Sequence, residues 1–195
     1  MSTFFAYMSR MKYIKRWSLM RSVSEENIME HSHQVALIAH ALAAIKNEYF
    51  GGNVNVERAV MYALYHECSE VITGDLPTPI KYYNADINSA YKNLEDRAGE
   101  KLLKCLPEKL ISIYRSFIMP DKDSEEYKIM KYADKLSAFV KCLEELKSGN
   151  GEFKKAASSI EKELQGYKSK EVDFFMKDCC DAFKLTLDEL EASVE

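Results

Sequence analysis

Glycine and proline are scarce in this sequence, which contains 7 and 4 of them among 195 residues. Because turn-rich β-sandwiches need many such residues, their scarcity argues against that class and favours long helices. No apolar run approaches the roughly 18–20 residues that span a bilayer. The N-terminal segment also lacks the continuous apolar stretch and the small-residue cleavage site of a signal peptide. We therefore expect no membrane partner.

A C-x-x-C pair is also absent. The five cysteines are odd in number and scattered, at positions 68, 105, 142, 179 and 180. This pattern fits reduced thiols better than a disulfide framework or a zinc ribbon. It predicts a cytoplasmic location.

Positive charge is not in excess, because the formal net charge is −4. That balance disfavours a nucleic-acid polymer or an anionic membrane as the main partner. A small anionic substrate remains possible, provided that a metal ion or a few placed Arg and Lys residues supply local positive charge. Hydrophobic residues make up 47% and charged residues 30% of the chain, which allows one sizeable core with a solvated surface.

Helical periodicity dominates the chain and predicts an all-α, single domain over residues 1–195. Phe4, Met8, Met11 and Ile14 have the spacing of a first amphipathic helix. Ser24 is the expected cap of a second helix, with Glu25 and Glu26 in its first turn and its end at Gly51-Gly52. Asn55 is the expected cap of a third helix that ends at Thr73-Gly74. The segment 74–83 contains two prolines and is expected to be non-helical. Further helices are predicted at about 86–105, 107–118, 124–148, 152–167 and 170–191.

Four metal-competent side chains stand in apolar helical surroundings: His31, His66, Glu67 and Asp134. A carboxylate on a buried helix face costs several kcal/mol unless it is paired or ligates a cation. Two imidazoles with two carboxylates suit a divalent ion such as Mn, Co, Ni, Zn or Fe, which can activate water and polarise a phosphoryl oxygen. Taken singly, each residue has an ordinary alternative. A lone helical His is more often a core or surface residue, and Asp134 has lysines nearby that fit a solvated charge.

The order of these residues resembles the H…HD…D signature of the HD superfamily. The surrounding sequence is similar to that of the bacterial 5′-deoxynucleotidases over nearly the whole chain. The resemblance is carried by the segments RWSLMR, ENIMEHSHQVALIAHALAAIKN, FGGNVN, YHECSEVITGDLPTPIKYYN and KCLEEL. It implies an HD-type helical bundle with its metal-site region at about 24–148 and C-terminal helices at 152–191. It also implies a homodimer.

The same resemblance implies one divalent ion (Co, Mn, Ni, Zn, Cu or Fe) held by His31, His66, Glu67 and Asp134. The substrate would be a nucleoside 5′-monophosphate, preferably 2′-deoxy, whose phosphate docks on that ion. His31, Glu67 and Asp134 would therefore also contact the substrate.

Two further segments correspond to substrate-binding regions of the family. Arg16 and Trp17 form the first, and an indole packed where a 2′-hydroxyl would sit rejects ribonucleotides. Glu70 lies one helical turn after His66, on the same face, and is placed to transfer a proton as base or acid. The second segment is the proline-pinned loop of Asp75, Leu76, Pro77 and Thr78, in which Asp75 is a further catalytic candidate.

One position departs from the family pattern, because Glu67 stands where the signature has Asp. The longer side chain keeps the charge and both oxygens but moves the carboxylate by about a bond length. Metal geometry could survive with adjustment, affinity could fall, or the preferred metal could change. Three alternatives therefore stay open: a hydrolase of another nucleotide (triphosphate, cyclic or alarmone), a degenerate binder of nucleotide or metal, and a structural helical dimerisation module.

Overall fold

The computed structural model describes residues 1–193; the last two residues of the expected domain, 194 and 195, lie outside this range. The described chain is a single helical domain, which confirms the all-α prediction. Its β structure is an isolated antiparallel bridge between Lys15 and Asn27. The α-helices are α1 (Phe4–Met8), α2 (Ile28–Phe50), α3 (Val56–Tyr65), α4 (Glu70–Thr73), α5 (Thr78–Lys81), α6 (Ala85–Leu103), α7 (Glu108–Ile118), α8 (Glu125–Lys147), α9 (Lys154–Gly166), α10 (Lys170–Asp178) and α11 (Leu187–Ala192).

Helix α2 runs through the centre of the bundle and packs against α3, α8 and α10. Its start is fixed by a capping box, in which the Asn27 side chain accepts from the Met29 and Glu30 N–H groups and Glu30 accepts back from the Asn27 N–H. The expected cap at Ser24 is wrong, because the helix begins at Ile28 and Asn27 is its cap. The end is as expected, since Gly51 adopts a φ of 67°, which favours glycine.

The predicted third helix is interrupted after Tyr65. Between His66 and Ser69 the backbone bonds tighten, so that Cys68 N–H donates to the Tyr65 carbonyl and Glu70 N–H to the Glu67 carbonyl, each three residues back. Helix α4 then forms a separate single turn. Glu70 therefore belongs to α4 and not to α3. The expectation of one uninterrupted helical turn from His66 to Glu70 is not met. The break gives His66, Glu67 and Glu70 orientations that a straight helix would not.

The proline segment is more helical than expected. Thr78–Lys81 forms one turn, α5, with Pro77 at its N-cap and Pro79 in its first turn. Proline is tolerated there because the first N–H groups of a helix have no partner within it. The prediction of a wholly non-helical segment is therefore wrong for these four residues.

Both ends of the chain are more broken than periodicity suggests. After α1, residues Ser9–Tyr13 form a 3₁₀ helix, and Ile14 is extended. The predicted helix at 170–191 divides into α10, a 3₁₀ segment Cys180–Lys184, and α11. A second capping box, between Thr186 and Glu189, starts α11. A strong cap inside an apolar pattern thus begins a new helix in a new direction.

The main hydrophobic core lies among α2, α3, α8, α9 and α10, with Val35, Leu42, Leu136 and Phe153 fully buried. A smaller cluster joins α1, α6 and the break after α3 through Phe4, Leu102 and Cys68, among others. All five cysteines are free. Among the described helices, none is long and apolar enough to cross a membrane. The break after α3 carries His66 and Glu67, which converge with His31 and Asp134.

Candidate metal centre and active site

Four side chains from three parts of the fold converge on one point. His31 comes from α2, His66 and Glu67 from the end of α3, and Asp134 from α8. One ligand atom from each lies within 4.8 Å of every other. His31 Nε2 is 3.1 Å from Asp134 Oδ1, and His66 Nε2 is 3.2 Å from Glu67 Oε1. The structure thus brings together all four residues that the sequence singled out.

The second ring nitrogen of His31 contacts Ser137, on the side away from Asp134. The Ser137 hydroxyl donates its proton to Gln34 Oε1 at 2.5 Å, so its oxygen accepts from His31 Nδ1 at 3.1 Å. Burial and the nearby Arg16 lower the pKa of His31, which favours the neutral ring. A proton on Nδ1 leaves the Nε2 lone pair free to ligate a cation together with Asp134 Oδ1, 3.1 Å away, whereas a proton on Nε2 makes a hydrogen bond to that oxygen.

His66 presents its ring in the same way. Its Nδ1 lies 2.6 Å from the Ala63 carbonyl and must carry a proton. Its Nε2 is buried and has no partner with hydrogen-bond geometry, although Glu67 lies close. Burial disfavours the imidazolium, yet Glu67 and Asp134 raise the pKa of His66 to about 9. The two carboxylates therefore stabilise positive charge near His66 Nε2. A divalent cation bound to these nitrogen and oxygen atoms would supply that charge.

Two basic side chains border the cluster. Arg16 NH1 lies 3.6 Å from Glu67 Oε1, and Lys131 Nζ donates to Asp134 Oδ2 at 2.9 Å. Lys131 occupies one carboxylate oxygen of Asp134 and leaves the other facing the histidines. Burial raises the pKa of Asp134, but Lys131 and the histidines outweigh burial and hold it well below its ordinary value. Both carboxylates of the cluster are therefore ionised at neutral pH and available as ligands.

Glu70 differs from these carboxylates in its protonation. It is 4% exposed, and its Oε2 is buried without a hydrogen-bond partner. Burial and the charge of Glu67 raise the pKa of Glu70 to about 11. Burial and the neighbouring anionic cluster therefore both favour the protonated form of Glu70.

The second predicted substrate segment lies between α4 and α5. Burial raises the pKa of Asp75, while the charge of Arg16 opposes that rise, which places the two in one electrostatic environment. Leu76 and Pro77 are half-buried and Thr78 is exposed. Within residues 1–193, no hydrogen bond or ion pair joins these three residues to the metal-competent cluster. Their part in binding stays a prediction.

The Arg16–Trp17 pair is held in a strained conformation. Trp17 has a φ of 57°, which a side-chain-bearing residue adopts only at a cost on the order of 1–3 kcal/mol. Its indole lies 5.3 Å from the ring of Phe153, and its Nε1 donates to Glu26 Oε2 at 2.9 Å. The Arg16 Nε donates to the same Glu26 oxygen at 3.2 Å.

Three residues at the site were not found from the sequence. From the sequence, Glu26 is expected in the first turn of a helix, Lys131 is one of the lysines near Asp134, and no pattern singles out Ser137. Glu26 and Ser137 act through contacts with residues that other parts of the chain supply, whereas Lys131 contacts Asp134 on its own helix. For Lys131 a signal existed, because a lysine three residues before a buried aspartate lies on the same helix face.

Solved structures share this fold. An HD-domain phosphohydrolase from Listeria innocua matches with a TM-score of 0.80 and 24% identity, covering 97% of this chain and 92% of its own. A cyanophage S-2L HD phosphohydrolase, solved with dA and one catalytic Zn²⁺ ion, matches with a TM-score of 0.60 and 19% identity, covering 91% and 96%. At these identities the likeness defines the fold, which confirms the expected HD-type bundle.

Sequence relatives define the family. The model of the 5′-deoxynucleotidase YfbR-like family matches residues 3–183. Relatives named 5′-deoxynucleotidase include those of Enterobacter sp. (52% identical, covering 97% of this chain and 96% of theirs), Vibrio vulnificus (51%, covering 97% and 98%) and Photorhabdus laumondii (52%, covering 100% and 99%). The chain belongs to the YfbR-like 5′-deoxynucleotidase family and is a hydrolase. The resemblance inferred from the sequence is confirmed.

Proposed function

We propose that this protein is a metal-dependent phosphohydrolase that converts 2′-deoxyribonucleoside 5′-monophosphates to nucleoside and phosphate. The convergence of His31, His66, Glu67 and Asp134 carries the proposal, because four ligand atoms within 4.8 Å of one another form an N/O set suited to a divalent cation. The relatives' names support the substrate class. The phage neighbour, whose structure holds dA and zinc, is consistent with it.

The four clustered residues would hold one divalent ion, chosen from Co, Mn, Ni, Zn, Cu and Fe. When bound, such an ion lowers the pKa of a water molecule and polarises a phosphoryl oxygen. Ser137 and the Ala63 carbonyl orient the two imidazoles, and Lys131 orients Asp134. Outer contacts of this kind fix ligand geometry.

The chain's own cations bring the substrate phosphate to an otherwise acidic protein. Arg16 and Lys131 border the cluster, and each is paired with a different one of its carboxylates. Local positive charge of this kind attracts an anion even though the net charge is −4. His31, Glu67 and Asp134 would contact the docked phosphate, as the resemblance implies.

Glu70 is the proposed proton-transfer group. As a neutral acid it can give its proton to the 5′ oxygen when the phosphorus–oxygen bond breaks. The water that attacks phosphorus releases a proton, which restores Glu70. Asp75 is acted on by the charges of Arg16 and Glu67 but is more exposed than Glu70. It is therefore the second candidate for proton transfer.

The pair Arg16–Trp17 and the loop of Asp75, Leu76, Pro77 and Thr78 would bind the nucleoside. We assign Trp17 to the position of the missing 2′-hydroxyl, since an indole held against Phe153 cannot easily withdraw. Adding a hydroxyl against a rigid apolar wall disfavours the ribonucleotide by about 100-fold at most.

Glu67 supports an active enzyme over a degenerate binder. Its Oε1 reaches within 3.2 Å of His66 Nε2, so the extra methylene does not remove the carboxylate from the cluster. We therefore propose that Glu67 is a ligand and that the substitution alters the choice of metal. A hydrolase of larger nucleotides remains the second candidate and is separated by the same assay.

Three properties of the whole protein are also proposed. Homodimerisation is supported by the exposed side chains of Leu185, Leu187 and Leu190. Phe175 and Cys180, which precede these leucines, are buried in the chain's own core and cannot contribute. A cytoplasmic location fits the free cysteines, and a small nucleotide in place of a nucleic-acid polymer fits the net charge.

Phosphate release from metal-stripped protein tests the proposal. Deoxy- and ribonucleoside mono- and triphosphates are each assayed with single divalent ions. We expect release from deoxynucleoside monophosphates that depends on an added ion and is lost in Asp134→Asn. The matched control is Asp86→Asn, which changes an exposed helix aspartate and should leave the rate unchanged. Preferred turnover of triphosphates, or activity in the absence of any ion, would contradict it.

A further inference from the structure

We propose that Glu26 is the positioning residue for sugar recognition. It fixes Arg16 and Trp17 relative to each other and thereby sets the discrimination between 2′-deoxy and ribose substrates. The inference rests on the proposed function, because it assigns a cause to the specificity of that site. Glu26 is neither in the metal-competent cluster nor among the substrate-binding residues that the family resemblance implied.

One carboxylate oxygen of Glu26 joins the two substrate residues. Its Oε2 accepts from Trp17 Nε1 at 2.9 Å and from Arg16 Nε at 3.2 Å. The backbone repeats the connection, because Arg16 N–H donates to the Glu26 carbonyl at 2.9 Å. Side-chain exposure is 12% for Glu26 and 14% for Arg16. These are charge-assisted bonds largely shielded from water, which makes them stronger and more directional than surface pairs.

Trp17 needs such a restraint. Its positive φ is disfavoured for a residue with a β-carbon. The backbone would therefore lower its free energy by relaxing if no contact held the side chain in place. Phe153 contacts the indole ring, but the rings are tilted by 55° and apolar contact does not fix rotation. The hydrogen bond to Glu26 fixes the rotation of the indole, because an N–H donor must point at its acceptor.

Arg16 needs the same restraint for a different reason. Its guanidinium lies between two acids, with Nε on Glu26 and NH1 at 3.6 Å from Glu67. Without Glu26, the attraction of Glu67 is no longer balanced, and the guanidinium would shift toward the metal-competent cluster. Removing one carboxylate therefore displaces both substrate residues at once.

Fluorescence gives a readout that does not depend on turnover. Trp17 is the one tryptophan among the 195 residues, so the intrinsic emission reports this indole alone. Glu26→Ala should shift the emission to longer wavelength and increase quenching by acrylamide. The matched control is Glu25→Ala, which removes the neighbouring carboxylate, 75% exposed and paired with Lys15. The control should leave the spectrum unchanged.

Kinetics test the consequence for specificity. The ratio of kcat/KM for a deoxynucleotide over the ribonucleotide of the same base should fall about tenfold in Glu26→Ala. Glu26→Gln, which keeps one acceptor oxygen, should give an intermediate ratio, and Glu25→Ala the wild-type ratio. Circular dichroism confirms that each variant is folded. Should Glu26→Ala not fold, Glu26→Gln carries both measurements.

The proposal is overturned if a folded Glu26 variant keeps the wild-type spectrum, or if its specificity ratio stays within about twofold of wild type. An equal loss of specificity in Glu25→Ala overturns it too. Failure of the proposed function is recognised separately, because wild type would then release phosphate from no nucleoside monophosphate. In that case the fluorescence comparison still decides whether Glu26 positions Trp17.

Discussion

Replacing Glu145 by Gln should destabilise the protein more than any surface substitution. Glu145 lies in α8 and is 2% exposed. Its carboxylate accepts from Lys141 at 2.6 Å, from the Val23 and Ser24 N–H groups at 2.9 and 3.1 Å, and from Asn150 Nδ2 at 2.8 Å. It thereby attaches the segment between Trp17 and α2 to the end of α8.

The pKa of Glu145 gives the magnitude. Burial alone would raise it, but Lys141 and the other donors lower it from 4.5 to about 2. Since one pKa unit corresponds to about 1.4 kcal/mol, the native state favours the carboxylate by about 3 kcal/mol. Because the folded pKa is depressed, this stability is fully present above about pH 4.5 and is lost as the pH falls toward about 2. Gln keeps the size and one acceptor oxygen but not the charge that Lys141 requires.

Urea unfolding monitored by circular dichroism measures the effect. At pH 7 we expect Glu145→Gln to lower the free energy of unfolding by about 2–4 kcal/mol, and the gap to wild type to shrink by about half near pH 3. Glu144→Gln, at the exposed neighbouring position, is the control and should stay within about 0.5 kcal/mol of wild type. A loss below about 1 kcal/mol at pH 7, or a gap independent of pH, would refute the reasoning.

Four other outcomes are expected. Glu70→Ala should keep ion binding by calorimetry while phosphate release falls at least about 100-fold; turnover within a few-fold of wild type would transfer the role to Asp75. Glu67→Asp should preserve or raise activity and change which divalent ion works best in the phosphate assay, whereas the same ion preference would argue that Glu67 is not a ligand. Chelation should lower the Tm, because an ion at about 100 times its Kd stabilises the folded state by about 2.7 kcal/mol; an unchanged Tm contradicts the site. Light scattering at micromolar concentration should give twice the mass of the chain, and a monomeric mass contradicts the dimer.

The long central helices could be predicted because one face of each is buried. The pattern placed a helix at 124–148, and α8 is Glu125–Lys147 with Ser124 as its cap. The start of α2 could not be predicted equally well, since Ser24 and Asn27 are both good capping residues. Asn27 is the cap, and the Ser24 N–H donates to Glu145, 121 residues away along the chain. Local sequence contains no trace of that partner.

The candidate site divides in the same way. His31, His66 and Asp134 stand out because polar, metal-competent groups are unexpected on apolar faces. Glu26 lies among other charged residues, where its type carries no signal. What distinguishes Glu26 is its contact with Trp17 and Arg16, and only the packed structure supplies that contact.

The distance along the chain between His31 and Asp134 has a consequence for folding. These residues are 103 positions apart, yet their side chains lie 3.1 Å from each other. No fragment containing only one of α2 and α8 can present both groups, so the cluster does not exist until the two helices have docked. Closing so long a loop is entropically unfavourable and belongs to the later stages of folding. Cation binding during refolding thus reports that α2 and α8 have docked, and not merely that helices have formed.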